Sequence, residues 1–117
     1  MIKYRGIYRV SSEIDSKGHI CEGSFIPCKI GKRSQIYRYN DAKLRVWIES
    51  NTKSGNTSVC KRLINNYPHI FTVVVQGDTE TILEFNELDI EQAAKILKVR
   101  VRGKKISPRS KKNLAFN

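Results

Sequence analysis

The chain has 117 residues, 39% of them hydrophobic, and a formal net charge of +11. That length suits one domain with a modest core, and no apolar run approaches the roughly 18 residues that a membrane-crossing helix needs. Three cysteines at irregular spacing, Cys21, Cys28 and Cys60, argue against a disulfide framework, and no apolar stretch follows the basic N-terminus, so a cytoplasmic protein without membrane association is expected.

Residues 2–10 read as a strand, with Ile2 and Tyr4 alternating and Gly6 as a candidate bulge. "SSEIDSKG" (11–18) reads as a polar loop. "HICEGSFIPCKI" (19–30) is a strand broken by Gly23 and Pro27, hence bent or at a sheet edge. "GKRS" (31–34) and "NDAK" (40–43) are turns that flank a short strand, "QIYRY". "LRVWIES" (44–50) alternates cleanly: Leu44, Val46 and Ile48 share one face, Arg45, Trp47 and Glu49 the other.

The period then changes. After a loop at 51–56, Asn56 or Thr57 is positioned to cap a helix reaching about Asn66, with Val59, Leu63 and Ile64 on its apolar stripe and Pro68 beyond its end. "HIFTVVVQ" (69–76) reads as a central strand and "TILEFNE" (81–87) as its hairpin partner, with Thr81, Leu83 and Phe85 on one face. "DIEQAAKILK" (89–98) reads as a helix. Asp89 and Gln92 stand at capping-box spacing, and Ile90, Ala93, Ala94 and Leu97 form its apolar face. "VRV" (99–101) reads as a last short strand.

The order from Leu44 to Val101 is strand, helix, strand, strand, helix, strand, a ferredoxin-like βαββαβ segment. The expected fold is therefore α+β, with N-terminal antiparallel strands that extend or cover this segment. Residues 1–102 form one domain and 103–117 a basic, mobile arm.

Charge is arranged in blocks. Residues 1–62 carry a net +8, residues 63–97 a net −5, and residues 98–117 a net +8 with no acid at all. Like charges in blocks repel and weaken the compact state, which points to an anionic partner.

No G-x-S-x-G, P-loop or H-E-x-x-H motif occurs, and no enzymatic activity, cofactor or metal is expected. His19, Cys21, Cys28 and Cys60 lack the paired spacing of structural zinc, and buried free thiols explain the cysteines better. Asp78, Glu80 and Glu84 lack a neighbouring lysine and suit a turn and a solvated strand face better than a magnesium site.

Nucleic-acid binding has the most support. Between Lys29 and Trp47, the cations Lys32, Arg33, Arg38 and Arg45 interleave with Tyr37, Tyr39 and Trp47. Cations bind phosphates with release of counterions, and aromatic faces stack on unpaired bases. A sheet face carrying Arg45 and Trp47 is an RRM kind of platform, although no RNP1 run is present; burial of these aromatics in a second core is the competing reading. The terminal segment adds Lys98, Arg100, Arg102, Lys104, Lys105, Arg109, Lys111 and Lys112 as a phosphate-binding arm. Its "RGKK" and "SPRS" pieces are incomplete minor-groove motifs. The 88–99 segment has the look of the first helix of a helix-turn-helix, but Gly103 and Pro108 break any second helix. DNA or RNA is the expected partner. The alternative is a protein-binding module or inhibitor, using either the acidic 78–91 face or the basic tail, with an Ile-, Lys- and Asn-rich usage of the kind AT-rich phages and mobile elements encode.

Overall fold

In the computed structural model, residues 1–14 and 20–99 are described. The arm expected at 103–117 lies outside them, as do two residues of the strand expected at 99–101.

The described chain is α+β. Its elements are β1 (Ser11–Ile14), β2 (Ile20–Cys28), β3 (Arg33–Arg38), β4 (Lys43–Glu49), α1 (Lys53–Asn66), β5 (Thr72–Gln76), β6 (Glu80–Asn86) and α2 (Ile90–Ile96). The six strands form one sheet in the order β1-β2-β3-β4-β6-β5, and every neighbouring pair is antiparallel. β4 and β5 therefore run parallel on either side of β6, joined through α1, which is the split βαβ unit that the sequence suggests. Among the described residues the ferredoxin-like continuation is not seen. The position beside β4 that a last strand would take is held by β3, whose six residues pair with Leu44–Glu49. A tight hairpin outcompetes a distant strand because it closes a far shorter loop.

Alternation along the strands puts Ile26, Ile36, Leu44, Val46, Ile48, Leu83 and Phe85 on one face, each at 0–2% exposure. Cys60 and Leu63 of α1, with Ala93, Ala94 and Leu97 of the α2 segment, complete that core. Burying each large apolar side chain contributes about 1.5–3 kcal/mol.

Other expectations are corrected in detail, each for an identifiable reason. Residues 2–10 are not a strand: Ile2–Tyr4 is a short 3-10 helix, and the Tyr8 N–H bonds the Tyr4 carbonyl at 2.8 Å. This turn brings Tyr4 and Tyr8 together in the core, with ring centroids 6.1 Å apart. Residues 11–14, read as loop, form β1 against β2. β5 is an edge strand rather than a central one: it pairs only with β6, through a register shift between Val73 and Val75, and Val73, Val74 and Val75 are 40%, 37% and 47% exposed. An apolar run alone does not reveal on how many sides a strand is covered. Asp89 stands at the N-cap of α2 as expected but makes no side-chain cap bond; Asn86 caps the 3-10 turn, Glu87–Asp89, that leads into the helix.

Helix α1 starts before the expected caps. Thr52 is extended and its hydroxyl accepts from the Gly55 N–H at 3.0 Å. Asn56 has a different task inside the helix. It is fully buried and its amide donates to the Gly77 and Glu80 carbonyls, while the Thr81 hydroxyl donates back to its Oδ1 at 2.7 Å. One side chain thus ties α1 to the β5–β6 turn. Asn56→Ala removes three hydrogen bonds and leaves the buried Thr81 hydroxyl without its partner, and is expected to cost about 2 kcal/mol in urea denaturation. Thr52→Ala is expected to cost about 1 kcal/mol. If neither change moves the midpoint, this account of α1 is wrong.

Candidate nucleic-acid interface

The face of the sheet opposite the helices is built by the intervening residues of the same strands. The register places Pro27 beside Gln35, Gln35 beside Trp47, Trp47 beside Ile82, and Ile82 beside Val75. This is a transverse row across five strands, about 19 Å long at ordinary strand spacing, and Gln35 is its one polar member. On one side lies the row Tyr37, Arg45, Glu84, Thr72; on the other lie Arg33, Glu49 and Glu80. The N-terminal strands extend the sheet instead of covering it, so among the described residues Tyr37 and Trp47 are half-buried at a surface and not sealed in a second core.

The two halves of this face differ in charge. Over β2, β3 and β4 lies an open concavity of about 710 Å³ lined by Phe25, Arg33, Gln35, Tyr37, Arg38 and Trp47, with Met1 beside them and no carboxylate among its lining residues. The β6 half carries Glu80 and Glu84, with Glu49 between. Gly31 sets where β3 begins. Its φ is +66°, and a Cβ there would lie 2.7 Å from the Glu49 carbonyl oxygen, so only glycine fits. The turn is closed by the Lys32 N–H donating to that same oxygen at 2.7 Å.

The cations singled out from the sequence have different surroundings. Lys32 is exposed on the β2–β3 turn. Arg33 lies over the Trp47 ring at 5.5 Å and its Nε donates to Glu49 at 2.8 Å. Arg45 stacks on Tyr39 at 3.5 Å and its Nε donates to Glu84 at 3.1 Å. Tyr39, just past β3, is 53% exposed. Arg38 belongs to another system. It sits at the end of β3, and its guanidinium donates through both terminal nitrogens to the Glu87 carboxylate, at 3.0 and 2.6 Å. Lys3 pairs with the same carboxylate at 2.8 Å, and the Tyr4 hydroxyl donates to it. Arg38 first, then Lys3 and Tyr4, hold the Glu87 carboxyl well below the usual carboxylate range. Burial, and then the bond to Glu87, push the Tyr4 phenol up to about 12.

Lys98 ends the α2 segment in the left-handed region, with φ at 59°, a conformation usual for glycine at a helix C-terminus. The adjacent Leu97 carbonyl accepts from the Lys29 N–H at 3.3 Å. The basic segment therefore begins beside the β2–β3 turn that carries Lys29, Lys32 and Arg33. Arg100, Arg102, Lys104, Lys105, Arg109, Lys111 and Lys112 lie outside the described residues.

Two residues of this site were missed in the sequence. Phe25 and Gln35 line the concavity; the signal for them was their spacing from Pro27 and Tyr37 on alternating strands. Within the acidic 78–91 segment, Glu84 pairs with Arg45, and Glu87 with Arg38 and Lys3, while Asp78, Glu80 and Glu91 are exposed. Cys60 is in the core and Cys28 is half-buried, and burial raises both thiols, Cys28 to about 12. His19 is outside the described residues. Among the described residues no helix is long and apolar enough to cross a membrane. No protein-family model, curated protein or solved structure matches this chain.

The Glu87 cluster gives a pH-dependent prediction. A carboxylate depressed by folding contributes stability that is present above its unfolded value, near 4.5, and is lost as pH falls below it. Glu87→Gln is expected to lower the melting temperature at pH 7, and the gap from the unmodified protein is expected to narrow as pH falls from 5 to 3. A gap that stays constant over that range contradicts the cluster.

Proposed function

We propose that this chain is a non-catalytic nucleic-acid-binding protein that takes unpaired bases on the open face of β2, β3 and β4. The observation that carries this reading is the concavity lined by three aromatics and two arginines with no carboxylate. Aromatic faces on an open antiparallel sheet stack bases that are not already paired, so single strands fit this face better than duplexes. Arg33 is available to phosphate. Its pair with Glu49 is at the surface, with the Arg33 side chain 67% exposed, and such pairs contribute only about 0–1 kcal/mol. The basic segment from Lys98 to Lys112 starts at the same end of the sheet and supplies sequence-independent attraction.

A second reading has its own observation. β5 presents an unpaired edge with three exposed valines, and such an edge accepts an added strand from a protein partner. On that reading Val74→Lys blocks partner binding and leaves nucleic-acid binding unchanged.

Fluorescence anisotropy with labelled single- and double-stranded DNA and RNA, each at low and high salt, tests the primary reading. Single strands are expected to bind more tightly than duplexes, and binding is expected to weaken steeply with salt. Tyr37→Ala with Trp47→Ala is expected to reduce single-strand affinity at least about tenfold, since each stacked base contributes about 1–3 kcal/mol. Absence of binding to all four probes at low salt rejects the reading.

A further inference from the structure

We infer that the concavity over β2, β3 and β4 is a site for one nucleotide unit, in which Gln35 reads the base and Arg33 takes the phosphate; this rests on the nucleic-acid reading above. Trp47 is the only tryptophan of the chain, and it stands directly beside Gln35 in the register. Tyr37 and Phe25 line the same hollow. A flat base laid on Trp47 brings its edge to the Gln35 side chain. Among the described residues the Gln35 amide has no hydrogen-bond partner, and an amide offers a donor and an acceptor side by side, the pattern that pairs with a base edge. Its neighbours in the row, Pro27 and Trp47, offer no such pair, and the hydroxyls of Ser24 and Tyr37 that also line the hollow are single groups, so Gln35 is the one side-chain amide there.

The phosphate position follows from charge. Of the two arginines lining the hollow, Arg38 is held by both oxygens of Glu87, whereas Arg33 makes one exposed hydrogen bond, to Glu49, and lies over the Trp47 ring at 5.5 Å, the place a base stacking on that face would take from it. A phosphate entering beside Trp47 exchanges with Glu49 for the Arg33 guanidinium, and a phosphate gives the planar fork a bidentate partner. The volume, about 710 Å³, lies within the range of small-ligand sites. The hollow is open, so the same chemistry suits a free nucleotide or one unit of a strand passing across the sheet.

The single tryptophan makes the site directly readable. The full chain is titrated with the four nucleoside monophosphates, with a six-nucleotide single strand, and with inorganic phosphate, following Trp47 emission corrected for ligand absorption. Saturable quenching by a monophosphate or by the oligonucleotide is expected, and none by inorganic phosphate. Quenching by both, or by the oligonucleotide alone, identifies a polymer unit as the ligand. Quenching by monophosphates alone identifies a free nucleotide and removes the polymer reading. Gln35→Ala is expected to change the relative affinities for the four bases at least threefold while the far-ultraviolet spectrum stays unchanged, and Arg33→Ala to weaken monophosphates but not nucleosides. An oligonucleotide that binds by anisotropy yet leaves Trp47 emission unchanged overturns this inference and leaves nucleic-acid binding standing. No response by either method ends both.

Discussion

Everything in this molecule hangs on the two-sidedness of β4. It is paired along its length on both sides, with β3 and with β6. Its alternate residues Leu44, Val46 and Ile48 are completely buried. Once those three face the helices, pleating leaves no choice for Arg45, Trp47 and Glu49: they must face away. A slip of one residue would bury an arginine and a glutamate without water, at a cost far above the stability of a small domain. Which residues the open face carries is thus a consequence of core packing.

The strong positive charge is also handled by position. Within the described residues, Lys3, Arg33, Arg38 and Arg45 each meet a carboxylate. Glu87 gathers Lys3, Tyr4 and Arg38, and so ties the N-terminal turn to the β3 end and to the entry of α2. What looks in the sequence like one basic, one acidic and one basic block becomes a folded body in which part of the acidic block neutralises part of the first basic block. The hollow beside Trp47 has no carboxylate among its lining residues, and its two arginines are paired from outside it, Arg33 with Glu49 through one exposed contact and Arg38 with both oxygens of Glu87. This division separates an arginine held by two carboxylate oxygens, Arg38, from one with a single exposed carboxylate contact, Arg33, which sequence alone does not.

Much of the fold was legible where one periodicity dominated. The alternation of residues 44–50 and 81–87 identifies both faces of β4 and β6, and the change of period at 51–66 identifies α1. The split βαβ order follows from those elements. What was not legible depends on long-range competition. Residues 69–76 read the same whether central or at an edge, and only the sheet order decides. The Tyr4–Tyr8 pair suits a helical turn as well as a broken strand, and Glu87, distant in sequence, settles it. Of the site, Tyr37, Trp47, Arg33 and Arg45 were visible as an aromatic–basic mixture, but Phe25 and Gln35 join it only through the pairing of β2 with β3.

The central claim is that the ligand lies on the sheet face opposite the helices. Its most direct test is a titration of the isotope-labelled protein with a short single-stranded oligonucleotide, followed by amide and indole chemical shifts. The account predicts that the largest changes fall on Phe25, Gln35, Tyr37 and the Trp47 indole N–H, while Leu63 and Ala93 on the helical side stay in place. Changes concentrated on α1, or on the β5–β6 turn, with the Trp47 indole unmoved, would contradict it.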